Sequence, residues 1–142
     1  MTYEVGNYLE HQVANATPGQ LIEMLYDRGV RDLNGACELF SLQGDPRSQA
    51  DAIHLIVHAQ QIVAELNHSL NIRDGGDLAA NLARIYEYMQ YRLTEAVSKR
   101  EQAPVAEVAG LLSELHEAWK TMLEQQTSGK PTARSGAGIL VA

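Results

Sequence analysis

Residues 17–40, TPGQLIEMLYDRGVRDLNGACELF, carry the reading on which the rest depends. Thr17 can cap a helix, Pro18 suits the first helical position, and Gln20 can close a capping box with the threonine. On a 100° wheel Leu21, Ile22, Leu25, Gly29, Leu33, Ala36 and Phe40 fall on one face, with Glu23, Asp27, Arg31, Asn34 and Glu38 opposite. That is the apolar band of a helix that packs against a core. A single such helix buries nothing by itself, so the neighbouring sequence must supply partners.

The sequence does so three times. Asp45-Pro46 repeats the cap-then-proline logic, and Ala52, Leu55, Ala59, Ile62, Val63, Leu66 and Leu70 share a face behind it. Asn71 to Asp77, with Gly75-Gly76, marks a stop followed by a new start. A third stripe follows, made of Leu78, Leu82, Ile85, Met89, Leu93 and Ala96. Pro104 opens a fourth, with Val105, Val108, Leu112, Leu115, Trp119 and Met122. No strand-like alternation competes. Helices of this size are about 30–39 Å long, and their short connections make neighbours antiparallel. The expectation is an all-α fold, an antiparallel four-helix bundle over residues 18–125. Residues 1–17 would form an N-terminal cap segment packed on its surface, and 126–142 a flexible tail rich in Thr, Ser, Gly, Lys and Pro.

Composition bounds the chemistry. Of 142 residues, 45% are hydrophobic and 20% charged, which suits one globular domain. The single cysteine, Cys37, excludes an internal disulfide and a Cys-rich zinc site. No apolar run approaches the roughly 20 residues of a membrane span, and no leader pattern opens the sequence. A cytoplasmic setting without membrane insertion is expected. The net charge is −7, and every acidic residue lies before position 126. So acidic a surface repels phosphates, and nucleic acid is not an expected partner.

Function is sought in what a bundle core does not explain. Ile53, Val57 and Ala64 form a second apolar strip on the second helix, beside Gln60 and away from the core stripe. Tyr88 and Tyr91 point away from the third helix's stripe, and tyrosine suits an interface. Tyr86 sits nearer the core edge and reads as structural. Tyr3, Val5, Tyr8, Leu9 and Val13 are too apolar for a free tail and too few for an isolated helix, so they read as a displaceable cover. Gly138-Ile139-Leu140-Val141-Ala142 is a second apolar stretch, behind a linker.

Chemistry candidates are weak. His54, His58, Gln61, Glu65 and His68 lie together on one polar face, and Glu65-x-x-His68 has the spacing used in diiron bundles. Those bundles need two such pairs and two further glutamates facing inward. The motif occurs once here and faces away from the core, so it reads as a solvated face. No phosphate loop and no nucleophile elbow is present. Neither a metal nor a cofactor is expected.

The ordered set of motifs resembles one family, the flagellar secretion chaperones of the FliS type. The match covers nearly all of residues 1–125. It runs from the tyrosine segment through TPGQLIEMLYDRGVRDL, with threonine for the family's usual serine, to QQIVAELNHSLN at 60–71 and GGDLAANLARIYEYMQYRL at 75–93, with Trp119 late in the fourth helix. The resemblance implies a cytoplasmic, non-enzymatic export chaperone for the disordered C-terminal segment of flagellin. It would prevent premature polymerisation and deliver its client to the flagellar export gate, with other flagellar regulators as further partners. In that frame Ile53, Val57, Ala64, Tyr88 and Tyr91 would contact the client in surface grooves, and Tyr3, Tyr8 and Leu9 would be the cover. Two alternatives are a ferritin-like metal-binding bundle and a helical scaffold or regulatory protein with another client.

Overall fold

Helix α1 (Pro18–Phe40) begins where the sequence places it. In the computed structural model, Thr17 Oγ1 accepts from the Gln20 amide at 3.1 Å, and Gln20 Oε1 accepts from the Thr17 amide at 2.9 Å. Helix α2 (Pro46–His68) is capped by Asp45, whose carboxylate accepts from the Arg47 amide and the Ser48 hydroxyl. These contacts hold the Asp45 carboxyl below the usual range, the Ser48 bond most of all. Helix α3 spans Ile72–Lys99, and α4 spans Gln102–Thr127, starting just ahead of Pro104. The structure describes residues 14–42 and 44–127. The expectations for Tyr3, Tyr8, Leu9 and the segment beyond residue 127 lie outside the described residues.

The stop-and-start expected at 71–77 is a kink within α3. Gly76 has φ 57° and ψ −138°, a backbone state open to glycine and strained for other residues. The far end of α3 closes through Arg100, also at positive φ, and the Glu101 amide donates to the Ala96 carbonyl.

The four helices pack in a ring, α1 on α2, α2 on α3, α3 on α4 and α4 on α1, as an antiparallel bundle. Trp119, late in α4, donates its indole N–H to the carbonyl of Gly19 at the start of α1. Leu33, Ala36, Ala52, Ala59, Val63, Leu66, Met89, Leu93, Ala96, Val105, Val108 and Leu112 fill the centre, in agreement with the four stripes. Burial of each large apolar side chain contributes about 1.5–3 kcal/mol.

Several wheel assignments are corrected. Leu78 is 52% exposed and Ala79 is buried in its place, because the inward face runs through positions 79, 82, 86, 89, 93 and 96 and leaves Leu78 on its flank. Leu21, in the first turn of α1, is 37% exposed, and its neighbour Ile22 is the buried one. Ile56, absent from the stripe read on α2, is fully buried. Tyr86 is not at the core edge but fully buried. Its hydroxyl bonds that of Tyr26 at 2.5 Å, across the diagonal of the bundle. A wheel treats the phenol as polar and cannot know that its partner comes from another helix. Burial, and then the neighbouring phenol, push the Tyr86 hydroxyl far above its ordinary value.

Polar pairs also link α1 to its neighbours. His116 is buried, stacks on Tyr26 and bonds Glu23 at 2.8 Å. Asp32 is buried and accepts from His58 Nδ1. Glu23, placed opposite the apolar face, and His58, read as part of a solvated face, are therefore interhelical partners. Among the described residues no buried side-chain nitrogen or oxygen is without a hydrogen bond.

Candidate functional site

The bundle is not equally tight on all sides. α1 lies closer against α2 and α4 than α3 lies against the same two helices. A methyl group on Gly29 would stand 2.7 Å from Leu112 and 3.3 Å from Ile62, so the bare backbone of α1 seats both neighbours. On α3 no glycine stands at the middle of the inward face, where Leu82, Tyr86, Met89 and Leu93 follow one another between Ala79 and Ala96. Large side chains hold α3 off, and a groove of about 320 Å³ opens between α2 and α3.

Val63, Ala64, Ala83 and Tyr86 supply the apolar lining of this groove, while Asn67, His68, Glu87 and Gln90 supply polar groups. Val63 and Tyr86 are buried and form its floor; Asn67, His68 and Glu87 are exposed and form its rim. Side-chain bonds brace the groove beyond one end. Gln90 donates to the Gln60 carbonyl at 2.8 Å, and Gln60 donates to Thr94 at 3.1 Å. Residues three and four apart share a helix edge. The α2 edge that faces α3 is therefore Ile53, Val57, Gln60, Ala64 and Asn67.

The structure thus places three of the expected residues along one edge. Ala64 lines the groove itself. Val57 is 41% exposed on the same edge. Ile53 is half-buried and packs partly against the core, so it is less outward than the wheel suggests.

Tyr88 and Tyr91 do not join them. Tyr88, 43% exposed, donates its hydroxyl to both oxygens of the Glu107 carboxylate at 2.9 Å, on the α3–α4 seam. Arg92 donates to the same carboxylate at 2.7 Å and to Glu95 at 2.9 Å. The Arg92 bond first, and then that of Tyr88, holds Glu107 below the usual carboxylate range, and the bond to Glu107 raises the Tyr88 phenol. Tyr91 is 63% exposed. Of the expected contact residues, Ala64 and Val57 therefore lie at the groove and Tyr88 at the seam, with Tyr91 on the outward face of α3 between them.

Sequence reasoning missed Asn67, His68, Ala83, Glu87 and Gln90 as groove residues. The signal was weak but present, since Gln60, Asn67 and His68 lie within one turn of Ala64. What was lacking was the identity of the facing helix. Among the described residues no group of three or more His, Cys, Asp or Glu side chains converges on a metal position. No described helix is long and apolar enough to cross a membrane.

Comparison with known proteins follows the same line. The family described as flagellar protein FliS matches residues 1–126. A flagellar secretion chaperone FliS from Salmonella typhimurium is 38% identical over 112 residues, covering 79% of this chain and 81% of that protein. Its counterpart from Bacillus subtilis is 30% identical, over 84% of this chain and 85% of that protein. The flagellar secretion chaperone FliSB of Pseudomonas aeruginosa is 35% identical, over 78% and 85%. A crystal structure of a bacterial flagellar chaperone superposes with a TM-score of 0.67 at 18% identity, over 87% of this chain and 98% of that one, a likeness of fold.

Proposed function

This chain belongs to the flagellar protein FliS family, and on that premise we propose that it binds the C-terminal segment of flagellin in the cytosol and delivers it for export. The family is one of secretion chaperones, not of enzymes. The observation that carries the proposal is the groove that the described residues leave between α2 and α3, with Ala64 in its lining and Val57 exposed on its edge.

A helix seated in a groove needs apolar floor for its anchors and polar rim for its flanks. Val63, Ala64, Ala83 and Tyr86 offer the first, and Asn67, His68, Glu87 and Gln90 the second. Ala64 and Ala83 are small, so a client backbone can approach closely there. One groove of this size holds a few side chains, and a disordered client gives up about 2–5 kcal/mol in ordering when it folds on a surface. More than one contact surface is required. Tyr88 and Tyr91 on the exposed side of α3 supply a second, with Tyr88 held in place by Glu107. Tyr3, Tyr8 and Leu9 act as the displaceable cover. Client held in this way is kept from polymerising before it reaches the export gate.

A flagellin C-terminal peptide mixed with the protein should gain helix by circular dichroism and bind with a strongly negative heat-capacity change by calorimetry. Val57→Asp should weaken binding tenfold or more while the bundle stays folded. Unchanged affinity in that variant and in Ala64→Glu would sink the groove assignment.

A further inference from the structure

The α2–α3 groove has a candidate occupant within the chain itself. We propose that residues 138–142, Gly-Ile-Leu-Val-Ala, dock in cis into this groove, carried there by the segment that follows α4. The inference rests on the groove and not on the client reading.

Reach permits it. Glu107 of α4 stands opposite Tyr88 and Arg92 of α3, so the groove at Ala83–Gln90 is near that level. From Glu107 to Thr127 α4 rises about 30 Å, which sets the distance to be retraced. The 11 residues from 128 to 138 span up to about 40 Å when extended. The apolar stretch therefore arrives at the groove with slack, and its Ile139, Leu140 and Val141 match a floor of Val63, Ala64, Ala83 and Tyr86.

Charge selects this segment over its rival at the other terminus. Residues 128–142 hold Lys130 and Arg134 and no acid. Residues 1–13 hold Glu4 and Glu10 and no lysine or arginine. The groove carries Glu87 on its rim, with Glu65 one turn from His68, and the bundle around it is strongly acidic. A basic linker is attracted to that surface and an acidic one repelled. Tethering keeps the effective concentration of the docking residues high, so even a weak contact is populated until a competitor displaces it.

The test uses the full chain with Cys37→Ser and Ala142→Cys, a nitroxide on the new thiol, and paramagnetic broadening of backbone amides. Signals of Ala64, Asn67, Ala83 and Glu87 should lose at least half their intensity, independent of protein concentration, and recover with Leu140→Asp. Broadening confined to 120–127, spread evenly, or centred on Leu21 overturns the proposal. So does broadening that fades on dilution, which would assign the groove to a second copy. If the serine background fails to fold, hydrogen exchange of residues 83–90 in the native chain decides. Exchange should quicken severalfold with Ile139→Asp and Leu140→Asp together, and no change overturns the inference. The flagellin peptide is a separate arm. Groove broadening without peptide binding keeps this inference and sinks the client reading, and peptide binding without broadening does the reverse.

Discussion

α1 and α3 occupy opposite corners of the same ring and are built on different principles. Where α1 meets its neighbours, a bare glycine backbone admits Leu112 and Ile62, and half-buried pairs add to the contact, Asp32 with His58 and Glu23 with His116. α3 meets its neighbours through large inward side chains and through polar bonds nearer the surface, Gln90 to Gln60 on one flank and Arg92 to Glu107 on the other. A bundle needs only part of its circumference closed tightly to be stable. The remainder is free to hold an open surface, and that division is what the proposed binding function requires.

The comparison can be broken most forcefully at Leu112. Leu112→Ala leaves a cavity at the tight side and should lower the unfolding free energy by about 2–5 kcal/mol in urea titration. A loss no larger than that of a groove-edge substitution would mean the two sides do not differ. Next comes the tie across the diagonal. Tyr86→Phe strands the Tyr26 hydroxyl in the core and should destabilise by about 1–3 kcal/mol, whereas Tyr26→Phe with Tyr86→Phe should recover part of that loss. Additive losses would show that the two hydroxyls do not depend on each other.

On the open side the expected effects on stability are small. Val57→Asp should change it by no more than about 0.5 kcal/mol, with its effect confined to client affinity. A large fall in melting temperature would place Val57 in the packing of the tight side. The smallest effect is electrostatic. The Glu107 carboxyl is depressed by Arg92 and then Tyr88, so its contribution is fully present above its ordinary value of about 4.5 and is lost as pH falls through the lower folded value. Carbon-13 NMR titration should find Glu107 below the usual range and Arg92→Ala should raise it. An unmoved titration would show that the seam bonds are not populated in solution.

Much of this arrangement was legible beforehand. The Thr17 and Asp45 caps, the helical stripes around Leu33, Val63, Met89 and Leu112, and the family resemblance follow from local chemistry and periodicity, which a sequence displays directly. The strip of Ile53, Val57 and Ala64 was visible as an apolar excess. Its facing wall was not, because nothing in one helix tells which neighbour lies across from it.

What the sequence by itself determined is therefore the set of elements and the inward face of most of each. The tertiary structure decided how closely each pair of helices stands. That spacing depends on which residues meet, a small one and a large one where Gly29 meets Leu112 and two large ones where Tyr86 meets Tyr26. It also decided the partners of Asp32, Glu23 and Glu107, since a polar side chain has no preference for burial until a complementary group arrives from another helix. The groove between α2 and α3 is a consequence of spacing, and spacing is a property of pairs.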